Sequence, residues 1–555
     1  MPIAQLAEEV RSGKRSVSMT PGQGDTGTLV TVSGEINQSL PFNNTLVDFE
    51  PQLELRTGYG FYHSVSGLSE QVITCRFESG DSLLSLVPGL QVVLQGKLAG
   101  TYTGDPFPTF LLEECRVIRQ EEVSDVSIPQ QKSHSVQELQ ALSQKWDQLR
   151  AELAGALKVD EYSLTSHLDG SYKVEIAAAS LDANGRLSEA AMQALNRLPV
   201  IRTFQIGDFG EPVKSTCATQ VGSIASIQSL VLRDASEVND QDLAQFLGNG
   251  GLHGLTLVNP ANLTTEGFAA FSQVPLLEQL HLAGGATAAL PALSHLTRLR
   301  SLELSRVNIS DDDLQVLKHL DRLRSIQLEY LPISGSGLIH LAAPEQLWDL
   351  ALTGSAADGH RIGNEVIPAL KTMTGLIWLR LHTTAVDSTV VEALAEMPHL
   401  QVLSIASSPV DSGIGSGLEK LSRLRQLSLI RTQVDDEFSE SLAKLSTLTS
   451  VRLEECPVGD EVLVALAACP ELTVIDMVRT QVTDSGLEAF ASAAADREIS
   501  ELRLSGTQIT EAGLKNLLKL KNLNGLSVSR NLEISEATTS ALKEKFQNLS
   551  IRRSR

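Results

Sequence analysis

The stretch RTQVTDSGLEAF, residues 479–490, decides the fold because the chain repeats it with small changes. Residues 506–517 read GTQITEAGLKNL, and residues 431–442 read RTQVDDEFSESL. Each copy follows a short strand-like signal, L-x-x-L-x-L, in which apolar residues alternate with others. A phrase that returns at a regular interval indicates one structural unit that is repeated along the chain.

The spacing of the strand signal gives the size and number of the units. Its first apolar residue recurs at fifteen positions, most often 24 residues apart. These positions are Ile201, Ile227, Leu252, Leu277, Leu299, Leu323, Leu347, Leu376, Leu400, Leu424, Leu448, Leu472, Ile499, Leu523 and Phe546. A period in this range is typical of a solenoid, whose stacked units bury a face that one unit alone cannot bury.

The unit at residues 472–490 shows how each repeat is expected to fold. Six apolar side chains are expected to face the core from the strand, the turn and the helix: Leu472, Ile475, Met477, Val482, Leu487 and Phe490. Thr483 or Asp484 is expected to cap the helix by accepting from its free first-turn amides. Gly486 lies in the first turn, where it favours close packing. Acidic residues recur at helix starts, where they complement the helix dipole.

In this form the repeat resembles the leucine-rich repeat, in the short variety whose units read L-x-x-L-x-L-x-x-T-x-[VI]-[TSD]-[DE]-x-G-L. Thr432, Thr480 and Thr507 stand where many other classes have Asn. The array is similar to the ribonuclease-inhibitor class, in its bacterial form. This resemblance implies an α/β solenoid of about 15 units over residues 165–555, with a parallel sheet on the concave face and helices on the convex face. It says little about function.

The first 120 residues follow a different pattern, so the chain is expected to be multidomain. Strand-like alternation occurs at 28–36, 52–56, 71–77, 90–102 and 110–118. Five strands, with the apolar segment SLLSLVPG before the fourth, fit a small closed β-barrel. The segments VTVSGEI, VITCRF, LQVVLQGKLAGTY and LLEECRVI resemble the tRNA-anticodon-binding-like OB domains of bacterial proteins, which implies an OB-like barrel over 25–120. Cys75 and Cys115 fall on its strands, either as buried free thiols or as a disulfide in an oxidising compartment.

A nucleic-acid function for this barrel has one candidate surface. OB barrels bind nucleic acid through basic grooves and exposed aromatic side chains. The segment RTGYGFYH offers Arg56, Tyr59 and Tyr62 as possible contacts. Residues 1–120 hold 8 Lys and Arg against 13 Asp and Glu, so their net charge is 8 − 13 = −5. This acidity opposes phosphate binding and favours packing or the docking of a protein.

The segments around the barrel connect it to the array. Residues 1–24 are expected to be a flexible N-terminus, and residues 121–134, which contain Pro129, are expected to be a linker. Residues 135–164 are expected to form an amphipathic capping helix and a connection. Its apolar stripe is Val136, Leu139, Leu142, Trp146, Leu149, Leu153 and Leu157. This helix either covers the open N-terminal end of the array or pairs in a coiled-coil dimer.

The sequence contains no recognised catalytic motif. The chain has a net charge of −22 and five cysteines without metal-ligand spacing, and it lacks a G-x-S-x-G, H-E-x-x-H or Walker motif. We therefore expect a protein that is not an enzyme and has no cofactor or metal. No run of 18 apolar residues occurs, so no membrane span is expected. Without the apolar segment of a secretory signal, a cytoplasmic location is expected, or an envelope or secreted one if a signal was removed.

One region of the array is the candidate partner-binding site. The third, fifth and seventh positions of each strand signal point away from the core. The predicted partner-binding residues are Trp378, Arg380, His382, Trp348, Tyr330, Glu329, His360 and Arg361. Trp, Tyr and Arg are the usual anchors of protein interfaces. The expected function is that of an interaction scaffold binding a protein on its concave face. The alternatives are a nucleic-acid-associated protein and, for the two tryptophans, simple packing at a repeat boundary.

Overall fold

The computed structural model describes residues 151–554, apart from short gaps, and the main chain of six strands between residues 29 and 121. The gaps are 158–163, 167–171, 178–179, 183, 199, 208–211, 286 and 356–361. The chain divides into two compact units, Met1–Arg300 and Ser301–Arg555. Residues 1–24, residues 122–134 and the first part of the expected capping helix lie outside the described residues.

Five of the first six strands form a ring of pairings. The six strands are β1 (Leu29–Ser39), β2 (Gln52–Thr57), β3 (Gly60–Phe61), β4 (Glu70–Phe77), β5 (Gln91–Tyr102) and β6 (Thr109–Glu121). Strand β1 pairs antiparallel with β2 and β5, and β5 pairs antiparallel with β6. Strand β4 closes the ring, since it pairs antiparallel with β2 and parallel with β6. The side chains of Cys75 and Cys115, on β4 and β6, lie outside the described part of the chain.

The rest of the first unit is a parallel sheet with helices. Its strands are β7 (Leu164–Ser166), β8 (Tyr172–Ile176), β9 (Ile201–Ile206), β10 (Ser229–Leu232), β11 (Gly254–Val258) and β12 (Gln279–Ala283). Strand β7 pairs antiparallel with β8, and β8 to β12 pair in parallel in chain order. The α-helices are Glu189–Leu195, Ala218–Gly222, Asp240–Phe246 and Thr265–Phe268, with residues 151–157 also helical; the 3₁₀ helices are Ser215–Cys217, Leu247–Asn249, Ala269–Gln273 and Thr287–His295.

The second unit contains eleven parallel strands that pair in chain order. They are β13 (Ser301–Ser305), β14 (Ser325–Glu329), β15 (Asp349–Thr353), β16 (Trp378–His382), β17 (Val402–Ala406), β18 (Gln426–Ile430), β19 (Ser450–Arg452), β20 (Val474–Asp476), β21 (Glu501–Arg503), β22 (Gly525–Ser529) and β23 (Ser550–Ser554). The predicted parallel sheet is confirmed in both units.

Short helical segments connect these eleven strands. The 3₁₀ helices are Asp312–His319, Ser336–His340, Pro344–Gln346, Asn364–Val366, Ser388–Val390, Ser412–Ile414, Asp436–Phe438 and Leu517–Lys519. The α-helices are Ile367–Leu370, Val391–Leu394, Gly415–Leu418, Ser439–Leu442, Asp460–Leu466, Asp484–Ala493, Glu511–Asn516 and Glu536–Lys545. Several connections are therefore one α-helical turn preceded by 3₁₀ structure, because a 24-residue unit leaves few residues for its return path.

The core of each repeat is the alternating apolar set that the sequence predicts. Leu472, Ile475, Met477, Val482, Leu487 and Phe490 are all 2% exposed or less. Residues on the opposite face of the strands, at the third, fifth and seventh positions, form what we call the open sheet face. The strand Trp378–His382 shows the pattern, since its second and fourth residues are buried and the other three are half-buried.

The repeated phrase links each unit to the next. Thr483 caps its own helix, because its hydroxyl accepts from the Ser485 N–H at 3.2 Å. Asp484 instead reaches the following unit, where its two carboxylate oxygens accept from the N–H and the hydroxyl of Thr510. Asp460 makes the same pair of bonds to Thr483. Acidic residues at these helix starts thus hold neighbouring units together, a role that adds to their expected complement of the helix dipole.

The glycine of the phrase makes room for that carboxylate. A Cβ at Gly486 would lie 2.1 Å from Oδ1 of Asp460, and one at Gly513 would lie 2.1 Å from Oδ1 of Asp484. The threonine that precedes the turn is buried at Thr480, and its hydroxyl donates to the carbonyl oxygen of Met477 at 2.8 Å. In this phrase Thr480, Thr483 and Asp484 each satisfy a backbone group, and Gly486 leaves room for a carboxylate.

Candidate partner-binding surface

The strand register sorts the open sheet face into columns of side chains. The central column of the second unit is formed by the fifth position of each strand signal, except in the last unit, where the register places Arg552, the seventh residue from Phe546, beside Ser527. Parallel strands in register place these side chains on one face. Its members are Glu303, Gln327, Ala351, Arg380, Ser404, Ser428, Arg452, Asp476, Arg503, Ser527 and Arg552. Neighbouring members lie about 4.8 Å apart, the usual distance between strands.

Trp348 and Trp378 form an aromatic pair on this face, beside the third and fourth of its eleven strands. Trp348 directly precedes β15, and Trp378 begins β16. Their ring centroids lie 5.1 Å apart with an interplanar angle of 66°, an edge-to-face arrangement. Both residues are half-buried, so each ring packs against the other and still presents part of its surface to solvent.

Arg380 is held in place beside the tryptophans by a buried carboxylate. Its Nη2 lies 2.8 Å from Oδ1 of Asp349, whose side chain is only 5% exposed. The Ser325 hydroxyl donates to the other oxygen of Asp349 at 2.9 Å. Burial raises the pKa of Asp349 above its ordinary value, although the positive charge of Arg380 opposes this shift. The ion pair fixes the guanidinium while leaving part of it exposed.

His382 lies on the same strand as Trp378 and Arg380. Its Nε2 lies 2.8 Å from Oγ of Ser404 on the next strand. Burial lowers the pKa of His382, and the nearby Arg380 lowers it further, whereas Glu329 acts in the opposite direction. The imidazole is therefore biased towards its neutral form, in which one ring nitrogen donates and the other accepts.

Tyr330 and Glu329 lie two repeats before His382 in the chain. Tyr330 is 40% exposed, and the guanidinium carbon of Arg306 lies 5.0 Å from the centre of its ring, a cation–π contact. Its backbone is left-handed, with φ of 54°. The same conformation recurs one residue beyond the strand end at Arg306, Thr383, Ser407 and Arg431, and three residues beyond it at Glu455 and Arg479. The sequence analysis did not predict this left-handed position.

The structure thus brings six of the eight predicted partner-binding residues to one stretch of sheet. His360 and Arg361 lie outside the described residues. Of the possible nucleic-acid contacts, Arg56 falls on β2, where only the main chain is described, and Tyr59 and Tyr62 lie outside the described part.

A second charged group on the sheet face was missed by the sequence analysis. Asp476, 4% exposed, accepts from Nη1 of Arg503 at 3.2 Å, and Nε of Arg452 lies 3.6 Å away. Beside it, Glu455 pairs with both Arg431 and Arg479, and the two guanidinium groups lower its pKa to about 2. The signal for this group was present in the sequence, as arginine at the fifth position of two late units, Arg452 and Arg503.

The described residues hold neither a metal site nor a helix that could cross a membrane. No group of three His, Cys, Asp or Glu side chains in this part of the chain is arranged to hold a metal ion. Among the helices there, none combines the length and the apolar character needed to cross a membrane. The thiols of Cys217, Cys456 and Cys469 are buried, and burial raises the pKa of each.

Comparison with known proteins identifies the repeat. Residues 468–491 match the family model described as a leucine-rich repeat. No curated protein matches the chain. An internalin from Listeria monocytogenes str. 4b F2365 is similar over 73% of this chain and 94% of its own, at 14% identity and a TM-score of 0.36.

Two other solved structures share a similar degree of likeness. A leucine-rich repeat protein of Leptospira interrogans is similar over 60% of this chain and 91% of its own, at 16% identity and a TM-score of 0.41. The structure of the TLR13–ssRNA13 complex is similar over 65% of this chain and 55% of its own, at 16% identity and a TM-score of 0.43. The family match at 468–491 and the repeated strand-and-helix unit together show that this chain carries leucine-rich repeats.

Proposed function

We propose that the chain is a non-enzymatic scaffold that binds a protein partner on the open sheet face of residues 301–555, the face that the sequence predicts to be concave. We place its anchor at the tryptophan site, defined as Trp348, Trp378, Arg380, His382, Glu329 and Tyr330. The observation that carries this proposal is the half-exposed edge-to-face pair of Trp348 and Trp378 beside an arginine fixed by a buried carboxylate.

The rigidity of the site supports a binding role. Association loses free energy when side chains are immobilised, by about 0.5–1.5 kcal/mol for each flexible side chain. Trp378 is already fixed by Trp348, and Arg380 by Asp349, before any partner arrives. A partner would therefore meet an aromatic surface and a guanidinium in set positions, the two groups that most often dominate interface energies.

The experiment that tests the proposal is an affinity pull-down from a lysate of the source cells, with and without nuclease. Trp378→Ala should lose the protein partner in both conditions, because the variant removes one of the two indole rings of the tryptophan site. The matched control is Ile339→Ala, which removes an apolar side chain that is 51% exposed on the 3₁₀ helix Ser336–His340, away from the open sheet face. Equal recovery of the partner by wild type and a folded Trp378→Ala protein would contradict the proposal.

A second candidate function concerns residues 25–120. We infer that this segment is an OB-type barrel, and the closed circuit of pairings β1–β2–β4–β6–β5, with β4 parallel to β6, supports that inference. OB barrels commonly bind single-stranded nucleic acid. Full-length protein that binds a labelled single-stranded oligonucleotide, with an affinity that falls steeply with salt, would move the function to the barrel.

A further inference from the structure

Three arginines recur on alternate strands at the C-terminal end of the central column. Arg452, Arg503 and Arg552 lie on β19, β21 and β23, with Asp476 between the first two and Ser527 between the last two. Since neighbouring strands are about 4.8 Å apart, the Cα atoms of successive arginines lie about 9.6 Å apart along the column. The row cannot be recognised from the spacing of the arginines in the sequence, because the register of the strands brings them into line.

Asp476 sets the positions of two of these guanidinium groups. It is almost completely buried, and it accepts from Arg503 at 3.2 Å while Arg452 lies 3.6 Å from the same oxygen. Arg503 is also paired with Glu501 at 2.9 Å. Even so, the side chains of Arg452 and Arg503 are 47% and 39% exposed. Their remaining N–H donors are therefore directed by the buried carboxylate and accessible from outside.

A second row of arginines lies one to three residues beyond the strand ends. Arg431 and Arg479 flank Glu455, which pairs with both, and Arg530 follows β22. Arg431, Arg479, Arg530 and Arg552 are all exposed. Within the part of the chain that the structure describes, no carboxylate pairs with Arg530 or Arg552.

The local charge runs against that of the whole chain. Residues 501–555 hold 10 Lys and Arg against 5 Asp and Glu, a net of 10 − 5 = +5, whereas the chain as a whole carries −22. Three arginines of this segment, Arg503, Arg530 and Arg552, face outward on the sheet, together with Arg431, Arg452 and Arg479 from the preceding repeats. We call this set the arginine surface.

We propose that the arginine surface binds a segment of a protein partner whose carboxylates recur at intervals of about 9–10 Å. Guanidinium groups pair with carboxylates through two parallel hydrogen bonds, which gives both strength and orientation. A polyproline II segment has three residues in each turn and rises about 9.3 Å over them. Acidic residues at every third position of such a segment would face Arg452, Arg503 and Arg552 together.

The acidic residues among the arginines favour a protein over a nucleic acid. Glu454, Glu455, Asp476 and Glu501 lie between or beside the six arginines. A strand of duplex DNA carries a negative charge about every 3.4 Å, so some of its phosphates would lie against these carboxylates. A peptide with carboxylates at the longer interval avoids that repulsion.

This site is separate from the tryptophan site. Arg452 lies three strands beyond Arg380 in the central column, about 14 Å away at the usual strand spacing. This proposal does not rest on Trp378, so it and the proposed function at the tryptophan site can fail independently.

The test uses the full-length protein and a fluorescently labelled peptide of Glu-Pro-Pro repeats, with a Gln-Pro-Pro peptide as the uncharged control. Anisotropy titrations should show saturable binding of the Glu peptide, weakening between about 50 and 200 mM salt. Arg552→Gln should weaken it by about threefold to tenfold, the effect of losing one charge-assisted contact. Arg553→Gln is the matched control, because it removes the same charge from the other face of β23, in register with the buried Val528.

A third variant should increase the affinity for the Glu peptide. Asp476→Asn keeps the shape of the side chain but removes the negative charge that competes with the peptide, so binding should tighten by about threefold or more. Thermal unfolding of each variant checks that it is folded, and Trp378→Ala should bind the Glu peptide as the wild type does.

Several outcomes would overturn the proposal. They are no saturable binding of the Glu peptide up to millimolar concentration, equal binding of the Gln peptide, and equal losses in Arg552→Gln and Arg553→Gln. Tighter binding of a single-stranded oligonucleotide of the same charge, lost in Arg552→Gln, would instead assign the surface to nucleic acid.

Discussion

The carboxylate of Asp484 accepts two hydrogen bonds from Thr510, one from its main-chain N–H at 2.8 Å and one from its hydroxyl at 2.5 Å. Thr510 in turn caps the next helix, since its hydroxyl accepts from the Ala512 N–H at 3.2 Å. One helix start is therefore bonded to the next across the boundary between repeats. This explains why the acidic residue and the threonine recur together in the phrase.

Removing one of these carboxylates should loosen the array. Asp484→Ala leaves the Thr510 N–H without its charged acceptor, and we expect a loss of about 1–2 kcal/mol in the free energy of unfolding. Urea unfolding followed by circular dichroism measures it. Glu471→Ala, at an exposed loop position, is the control and should change the stability by less than about 0.5 kcal/mol. Equal effects of the two substitutions would show that the bond to Thr510 contributes nothing.

The glycine in the phrase gives a second prediction. Gly486→Ala places a Cβ within 2.1 Å of Oδ1 of Asp460, so we expect a loss of about 1–3 kcal/mol from overpacking. In an Asp460→Ala background the same substitution should be much less harmful, and a double-mutant cycle measures this coupling. Gly155→Ala is the contrasting control, because nothing lies within 4 Å of its Cβ position, and a helical alanine there should stabilise by up to about 1 kcal/mol. An additive cycle would contradict the steric explanation.

Much of this fold could be predicted from periodicity, and the misses have identifiable causes. The inward positions of the strands and the core of the unit around Phe490 follow from the alternation and spacing of apolar residues. The sequence could not distinguish Thr483 from Asp484 as the helix cap, because both residue types are good caps. The structure shows that Thr483 caps its own helix, whereas Asp484 accepts from Thr510 in the next repeat. Helix length was also hidden, since the ten-residue helix Asp484–Ala493 occurs in a unit with a 27-residue step.

The candidate site was predicted in part, for a related reason. Aromatic residues are rare in this chain, so Trp348 and Trp378 stood out in the sequence. The anchoring of Arg380 by Asp349 could not be predicted, since the two residues are 31 positions apart and meet only through the register of β15 and β16. The arginine surface was missed because each arginine belongs to a different unit and forms a row only when the units are stacked.

Glu455 should show a strongly lowered pKa in solution. Its hydrogen bonds to Arg431 and Arg479 lower the pKa from the ordinary 4.5 to about 2. A lowered folded-state pKa stabilises the folded chain above the pKa of the unfolded state, near 4.5, and this stabilisation is lost as the pH falls towards 2. An NMR titration of the Glu455 carboxyl group should therefore have its midpoint near 2, and Arg479→Gln should move it upward. A midpoint above 4 in the wild type would contradict the two ion pairs.

Arg380 should matter for stability through the buried Asp349 as well as for binding. Arg380→Gln leaves a carboxylate that is 5% exposed without its counter-charge, and we expect a loss of about 3–5 kcal/mol at neutral pH. Burial raises the pKa of Asp349, and removing Arg380 removes the interaction that opposes this rise. A raised folded-state pKa means that the penalty is absent at pH values below the unfolded-state pKa and appears as the pH rises through the folded-state pKa. The stability deficit of Arg380→Gln relative to wild type, measured by urea unfolding, should therefore become smaller as the pH is lowered. Adding Asp349→Asn should remove both the deficit and its pH dependence. An Arg380→Gln protein whose stability difference from wild type stays constant with pH would show that Asp349 is not the group that Arg380 stabilises.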